Sequence, residues 1–245
     1  MFTFFNKKPR SINLESLVSD MHSHLIPGID DGAPDEETSL RLIAGLMDLG
    51  YKKIITTPHI NGDVFRNTAA IIGDGQAAVL RALQQKGMKV EFRAAAEYLM
   101  DDQFAKTLST GGSFLTLKDN LVLVELSFVV PALNLKEMLF QLQLNGYQPI
   151  LAHPERYLYF AGNKGWYDQL RDSGCYFQLN LLSFAGHYGR EARDLALYLV
   201  KKGYVDYLGT DLHHSSHLEL LRFSQPIAKA VQQLQEKGLI RNSSL

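Results

Sequence analysis

LVSDMHSH, residues 17–24, is a short β-prone run that ends on two histidines, His22 and His24. Period-two alternation puts both imidazoles on one face of a strand. The same design recurs along the chain. KKIITTPH (52–59) ends at His59, MKVEFRAAAE (88–97) at Glu97, LVLVE (121–125) at Glu125, and YQPILAH (147–153) at His153. YVDYLGTD (204–211) ends at Asp211, with His213 two residues on, and CYFQLNL (175–181) supplies a seventh strand. Helix-compatible stretches separate these runs. Residues 35–50 carry Leu40, Ile43, Leu46 and Met47 at helical spacing. Further helices are expected over 67–86, 134–145, 166–172, 190–202 and 225–237, with Gly146 capping 134–145 and Gly203 ending 190–202. The strands are apolar runs without clean alternation, as suits strands buried on both faces. Strands alternating with helices predict an α/β fold on a parallel sheet. A seven-stranded (β/α) barrel is the leading reading, and a doubly wound open sheet is the alternative.

The composition is that of a globular protein. The chain has 245 residues, 46% hydrophobic and 21% charged, and a net charge of −1. A single domain over 1–245 is expected. No global basic field points to nucleic acid or to an anionic membrane. The one cysteine, Cys175, excludes a disulfide within the chain. The first ten residues, MFTFFNKKPR, place apolar before basic residues, the reverse of a secretory leader. The most apolar stretch, LVLVELSFVV, is broken by Glu125 and by the Pro131 that follows it, short of the ~20 residues a membrane span needs. A cytoplasmic protein without membrane insertion is the expectation.

In an α/β barrel the C-terminal strand ends converge on one mouth. His22, His24, His59, Glu97, Glu125, His153, Asp211 and His213 would all meet there. Each alone is weak: an H-x-H pair or a histidine after a proline is common in cores and caps. The carboxylates weigh more. Glu97 follows Ala94, Ala95 and Ala96, and Glu125 follows LVLV, and a buried carboxylate at an apolar strand end is costly without a cation. Imidazole with carboxylate, and no thiolate, suits Mn²⁺, Fe²⁺ or Zn²⁺. The number of donors exceeds the need of one ion, so two or three bridged divalent ions are expected, in pairs ~3.5–4 Å apart. Arg156, in AHPER (152–156), offers a fork that matches two phosphate oxygens. The plainer reading is a surface arginine paired with Glu155. Cys175 sits in a predicted strand with no arginine-bearing loop after it, so a cysteine-based phosphatase mechanism is excluded.

Taken in order, DMHSHLIPGIDDGAPDEETSLRLI (20–43), TTPH, AAEY, the strand-end Glu125, AHPERY and GTDLH resemble the PHP (polymerase and histidinol phosphatase) superfamily. The opening segment with IDDG is similar to the bacterial PHP-type protein-tyrosine phosphatases of capsular and exopolysaccharide loci. The resemblance covers about residues 18–238. It implies a distorted seven-stranded (β/α) barrel of PHP type and three ions. One would be held by His22, His24, Glu97 and Asp211, a second by Glu97, Glu125 and His153, and a third by Asp31, His59 and His213. Asp31 enters through the resemblance alone; otherwise it reads as a carboxylate at a helix start. Arg156 and His59 are the residues assigned to catalysis. The implied activity is hydrolysis of phosphotyrosine by a metal-bound hydroxide, with manganese as the first-choice ion and a bacterial tyrosine kinase as the partner. The family's arginine after the D-x-H motif is missing here, and His214 or His217 stands where it could substitute. Two other functions fit the residues: a PHP phosphoesterase acting on a small monoester such as histidinol phosphate, and a non-catalytic module stabilised by its metals.

Overall fold

The computed structural model describes residues 11–245; the N-terminal run that was read against a leader lies outside the described residues. Among the described residues nine β segments, all paired in parallel, build two sheets. They are β1 (Ser19–Asp20), β2 (Lys53–Thr56), β3 (His59–Ile60), β4 (Glu91–Ala94), β5 (Glu97–Leu99), β6 (Leu121–Glu125), β7 (Gln148–Ala152), β8 (Tyr176–Asn180) and β9 (Tyr207–Gly209). They form one sheet ordered β1-β2-β4 and another ordered β3-β5-β6-β7-β8-β9.

Two of the seven expected strands are each split in two. Thr57 and Pro58 separate β2 from β3, and Ala95 and Ala96 separate β4 from β5. Pro58 has no N–H to give a ladder. Backbone bonding nevertheless carries across the break, because the N–H of Ala95 donates to Thr56 O at 2.9 Å and that of Glu97 to Pro58 O at 3.1 Å. The strands therefore bend rather than end. His59 and Glu97, expected at strand ends, instead open β3 and β5 and stand directly opposite each other in register.

Strand order follows chain order throughout, whereas a doubly wound sheet would reverse partway. A parallel bridge between Ser23 and Leu212 sets the first strand's extension beside the last. The fold is a distorted seven-stranded (β/α) barrel of PHP type. Its inner face is visible in β6: Leu123 packs with Met21, Ile55, Ala95, Ile150 and Ala152, while Val122 and Val124 face the outer helices. Glu125 continues the inner parity at the mouth.

The helices are α1 (Glu36–Asp48), α2 (Ala69–Gln85), α3 (Asp102–Ser109), α4 (Leu135–Leu144), α5 (Gly165–Asp172), α6 (Leu181–Phe184), α7 (Gly189–Lys202), α8 (Ser215–Phe223) and α9 (Gln225–Glu236). The side chain of Asp35 accepts from the Thr38 N–H and starts α1, so the helix-start carboxylate is Asp35 and not Asp31. Its apolar stripe, Leu42, Ile43 and Leu46, is fully buried, each side chain contributing about 2 kcal/mol through removal from water. Gly203, at φ 73°, closes α7 in the left-handed region that glycine adopts freely. Gly146, at φ 84°, lies just past the C-cap of α4. Among the described residues no helix is long and apolar enough to cross a membrane. Cys175 is buried in the outer core, and burial pushes its thiol up to about 12, so it is no nucleophile.

Candidate metal centre

The mouth is assembled from seven places in the chain. His22 and His24 follow β1 and flank the bridge residue Ser23; His59 opens β3, Glu97 opens β5, Glu125 ends β6 and His153 follows β7. Asp211 and His213 follow β9, and Asp31 comes from the β1–α1 loop. Two close approaches make this possible. A Cβ on Gly32 would stand 2.1 Å from the His24 carbonyl oxygen, and one on Gly209 would stand 2.7 Å from the His22 Cβ. Only glycine fits at either point.

Glu97 is at the centre and fully buried. Its Oε2 lies 3.0 Å from His22 Nε2, 3.5 Å from His24 Nε2 and 3.3 Å from His59 Nδ1, and its Oε1 lies 3.0 Å from His153 Nε2. Glu125 reaches His59 Nδ1 at 3.2 Å. Asp31, half exposed at the rim, lies 3.5 Å from His59 Nε2 and 3.4 Å from His213 Nε2. Asp211 divides its carboxylate. Oδ1 faces His22, His24 and His213 at 3.3, 3.4 and 3.4 Å, while Oδ2 accepts from Arg156 Nη1 and Asn180 Nδ2, both at 2.8 Å.

Four overlapping groups have ligand atoms within 4.8 Å of one another: His24, Asp31, His59 and His213; His22, His24 and Asp211; His22, Glu97 and His153; His59, Glu97 and Glu125. All nine residues of the set implied by the resemblance are brought together, but the groups overlap differently from that partition. His24 joins the rim group, and His59 joins Glu97 and Glu125. The donors fit divalent ions. His24 Nε2 and His59 Nδ1 are buried and make no hydrogen bond among the described residues, although carboxylate oxygens stand 3.2–3.5 Å from them. Nitrogens and oxygens aimed at a common point without bonding one another are what a cation between them requires.

The charges point the same way. Burial opposes a charged imidazole at His22, yet Glu97 and Asp211 outweigh it and push the ring up to about 9. Burial likewise works against an ionised Glu97, but His22 and its neighbours hold it well below the usual carboxylate range. Burial, reinforced by Arg156, pushes His153 down to about 4. A proton on His22 thus balances the buried carboxylates, and a divalent cation would do the same work while releasing it.

Two of the four positive-φ non-glycine residues among the described ones lie here, the others being Val18 and Asp119. His153 (φ 33°) and Asp211 (φ 49°) are left-handed non-glycine residues, a conformation that costs about 1–2 kcal/mol each. The Asp211 N–H is held by the His22 carbonyl at 2.7 Å.

Above the cluster is a cleft of about 220 Å³ whose lining includes Phe128, Arg156, Tyr188, His214 and His217. Arg156 does not pair with Glu155. Its guanidinium carbon sits 4.6 Å from the Phe128 ring centre and 4.1 Å from that of Tyr188. Nη1 is held by Asp211, and Nε and Nη2 make no hydrogen bond among the described residues.

Supporting residues were missed in the sequence. Asp30 Oδ2 accepts from His24 Nδ1 at 2.8 Å and from the His59 N–H at 3.2 Å. Gln178 Oε1 holds His22 Nδ1 at 2.8 Å. Asn180 bridges Tyr188 and Asp211. Gln178 and Asn180 share the inner face of β8, a period-two Q-x-N at a strand end that could have been noticed.

Glu155 is buried elsewhere, accepting from the Asn180 N–H at 2.9 Å and the Ser183 hydroxyl at 2.7 Å. Burial pushes its carboxyl up to about 7. A folded value above the unfolded one means its stabilising effect is complete below pH ~4.5 and is lost as pH rises through about 7. In chelator-treated protein, Glu155→Gln should remove that loss, so the difference in melting temperature should grow in the variant's favour between pH ~4.5 and about 7 and level off above it. The limiting size is on the order of 3 kcal/mol. A difference that does not vary with pH would refute it.

A parallel α/β barrel with a histidine–carboxylate centre at its mouth defines a class of metal-binding barrel proteins. A family model described as "Capsular polysaccharide synthesis, CpsB/CapC" matches residues 18–240, and the chain belongs to that family. The tyrosine-protein phosphatase YwqE of Bacillus subtilis is 27% identical over 196 residues, 80% of this chain and 77% of the relative. The tyrosine-protein phosphatase CpsB of Streptococcus pneumoniae is 25% identical over 203 residues, covering 80% and 82%. A solved structure described as belonging to YwqE and CpsB, "unique metal-dependent tyrosine phosphatases", superposes with a TM-score of 0.79 at 26% identity, over 90% of this chain and 87% of the other.

Proposed function

We propose that this chain is a metal-dependent protein-tyrosine phosphatase, a single PHP domain over 1–245, working in the cytoplasm on a phosphotyrosine protein. A bacterial tyrosine kinase of polysaccharide synthesis is the proposed partner. One observation carries the reading: nine His, Asp and Glu side chains converge under a cleft that also holds an arginine fork with two free N–H sides. The relatives named tyrosine-protein phosphatases support it.

The proposed ligands of two or three divalent ions, Mn²⁺ before Fe²⁺ or Zn²⁺, are His22, His24, Asp31, His59, Glu97, Glu125, His153, Asp211 and His213. When bound, the ions supply Lewis acidity and a deprotonated nucleophile at neutral pH. The protein supplies position and charge. Arg156 presents Nε and Nη2 to two phosphate oxygens. Asp211 fixes the fork from one side, while the Phe128 and Tyr188 rings hold its plane. His59 spans the inner Glu125 and the rim Asp31 and is the second residue assigned to the chemistry. His214 and His217, on the cleft wall, are proposed as anion contacts in place of a second arginine. A phenol of pKa ~10 leaves readily, so the site needs no dedicated acid.

Protein stripped with EDTA should hydrolyse a phosphotyrosine peptide at background rate and recover on addition of Mn²⁺. Its activity should fall at acid pH together with metal content, because protons compete for the imidazoles. A fully metal-loaded, folded sample that leaves the peptide intact would overturn the reading. Turnover of histidinol phosphate instead would move it to the small monoesters.

A further inference from the structure

We propose that Phe128 forms a subsite for the aromatic ring of the substrate and so determines preference for aryl over alkyl phosphates. This rests on the phosphatase reading and adds a specificity residue to it.

The Phe128 ring stacks on His153 at a centroid distance of 5.6 Å and covers the Arg156 guanidinium. It is also 49% exposed and lines the cleft. An aromatic side chain that spans a proposed metal ligand and the proposed phosphate clamp, and still shows half its surface, leaves exposed apolar surface next to where the phosphate would bind. One ester oxygen separates phosphorus from the tyrosyl ring, so a phosphate held by Arg156 brings the ring to Phe128. A burial of two apolar rings in offset or edge-to-face contact is favourable beyond the area it removes from water. An alkyl phosphate such as phosphoserine has no group to place there.

The surroundings favour a polypeptide substrate over a small polar one. Phe128 begins an exposed apolar run in which Val129 is 85% exposed and Leu133 fully exposed. No charged residue occurs between Glu125 and Lys136 to repel or orient a small anion. The Arg156 guanidinium also lies over the Tyr188 ring, but Tyr188 is more deeply placed and already engaged by Asn180, so the open ring is Phe128.

The test is a binding ratio that does not depend on turnover. Phenylphosphonate and methylphosphonate are titrated by calorimetry into metal-loaded wild type, Phe128→Ala, Phe128→Leu and Phe128→Tyr, with metal content and circular dichroism recorded for each. Wild type should prefer the phenyl compound by about tenfold. F128A should weaken phenylphosphonate far more than methylphosphonate and so abolish the preference, F128L should recover part of it and F128Y most of it. Equal affinities in wild type would overturn the proposal. So would an F128A variant that weakens both compounds alike, because Phe128 would then be a support for Arg156 only. A phosphotyrosine peptide assayed with the same wild-type sample tests the phosphatase reading separately: no turnover with the phenyl preference intact removes that reading and leaves the ring subsite standing.

Discussion

Glu97→Gln is expected to reduce phosphatase activity by about a thousandfold. The substitution keeps shape and removes one charge, so the barrel should fold. What it removes is the only carboxylate among the described residues within 3.5 Å of four different histidines. A neutral amide is a weak ligand for a hard divalent ion and cannot bridge two of them. Metal content per chain, measured after gel filtration, should fall below that of wild type, and excess Mn²⁺ should restore only part of the rate. Full metal content with near wild-type turnover would show that Glu97 is a structural carboxylate paired with imidazoles and no part of a metal centre.

Arg156→Ala is expected to cost roughly 10²–10³-fold in kcat/KM for a phosphotyrosine peptide, mostly through weaker transition-state charge stabilisation. Arg156→Lys should recover little, since an ammonium cannot present two N–H groups in a plane or stay stacked between two rings. The split of Asp211 gives a control. Its Oδ1 still faces three histidines and Asn180 still holds Oδ2, so metal content should stay near wild type. If activity and metal content fell together, Arg156 would be serving the ions and not the phosphate.

The fold was legible because it is written in local patterns. Apolar runs ending on His, Glu or Asp marked six of the seven strands, and helical spacing placed α1, α2, α4, α7 and α9 to within about two residues. Elements with too little apolar signal escaped. In α3 only Phe104 and Leu108 are buried, and in α8 only Leu218 and Leu221; each pair has helical spacing, but two positions over a single turn are too few to mark a helix. The bends of the second and third strands were hidden for another reason: each was read as one unbroken run ending at His59 or Glu97, whereas it breaks at Thr57 and Pro58 or at Ala95 and Ala96 and is carried on by bonds to a neighbour that the sequence does not reveal. The site divides the same way. Titratable residues at strand ends stood out, whereas Asp30, Gln178 and Asn180 act by holding another side chain. That role depends on which strand lies opposite, and no spacing within one segment encodes it. Asp30 also sits beside Asp31, and only the three-dimensional turn at Gly32 decides which of the two faces His24 and which the rim.

The two oxygens of Asp211 have a consequence for how such a protein can change over generations. One oxygen addresses the histidines and the other addresses Arg156, and a carboxylate is rigid. A drift in the backbone after β9 that suited a larger or smaller ion would swing the arginine with it, and a drift that suited a different anion would disturb the ion. Selection for a new metal and selection for a new substrate therefore act on the same two atoms. A lineage carrying this arrangement inherits both preferences together, and a designer wishing to alter one alone must first give Arg156 a different anchor.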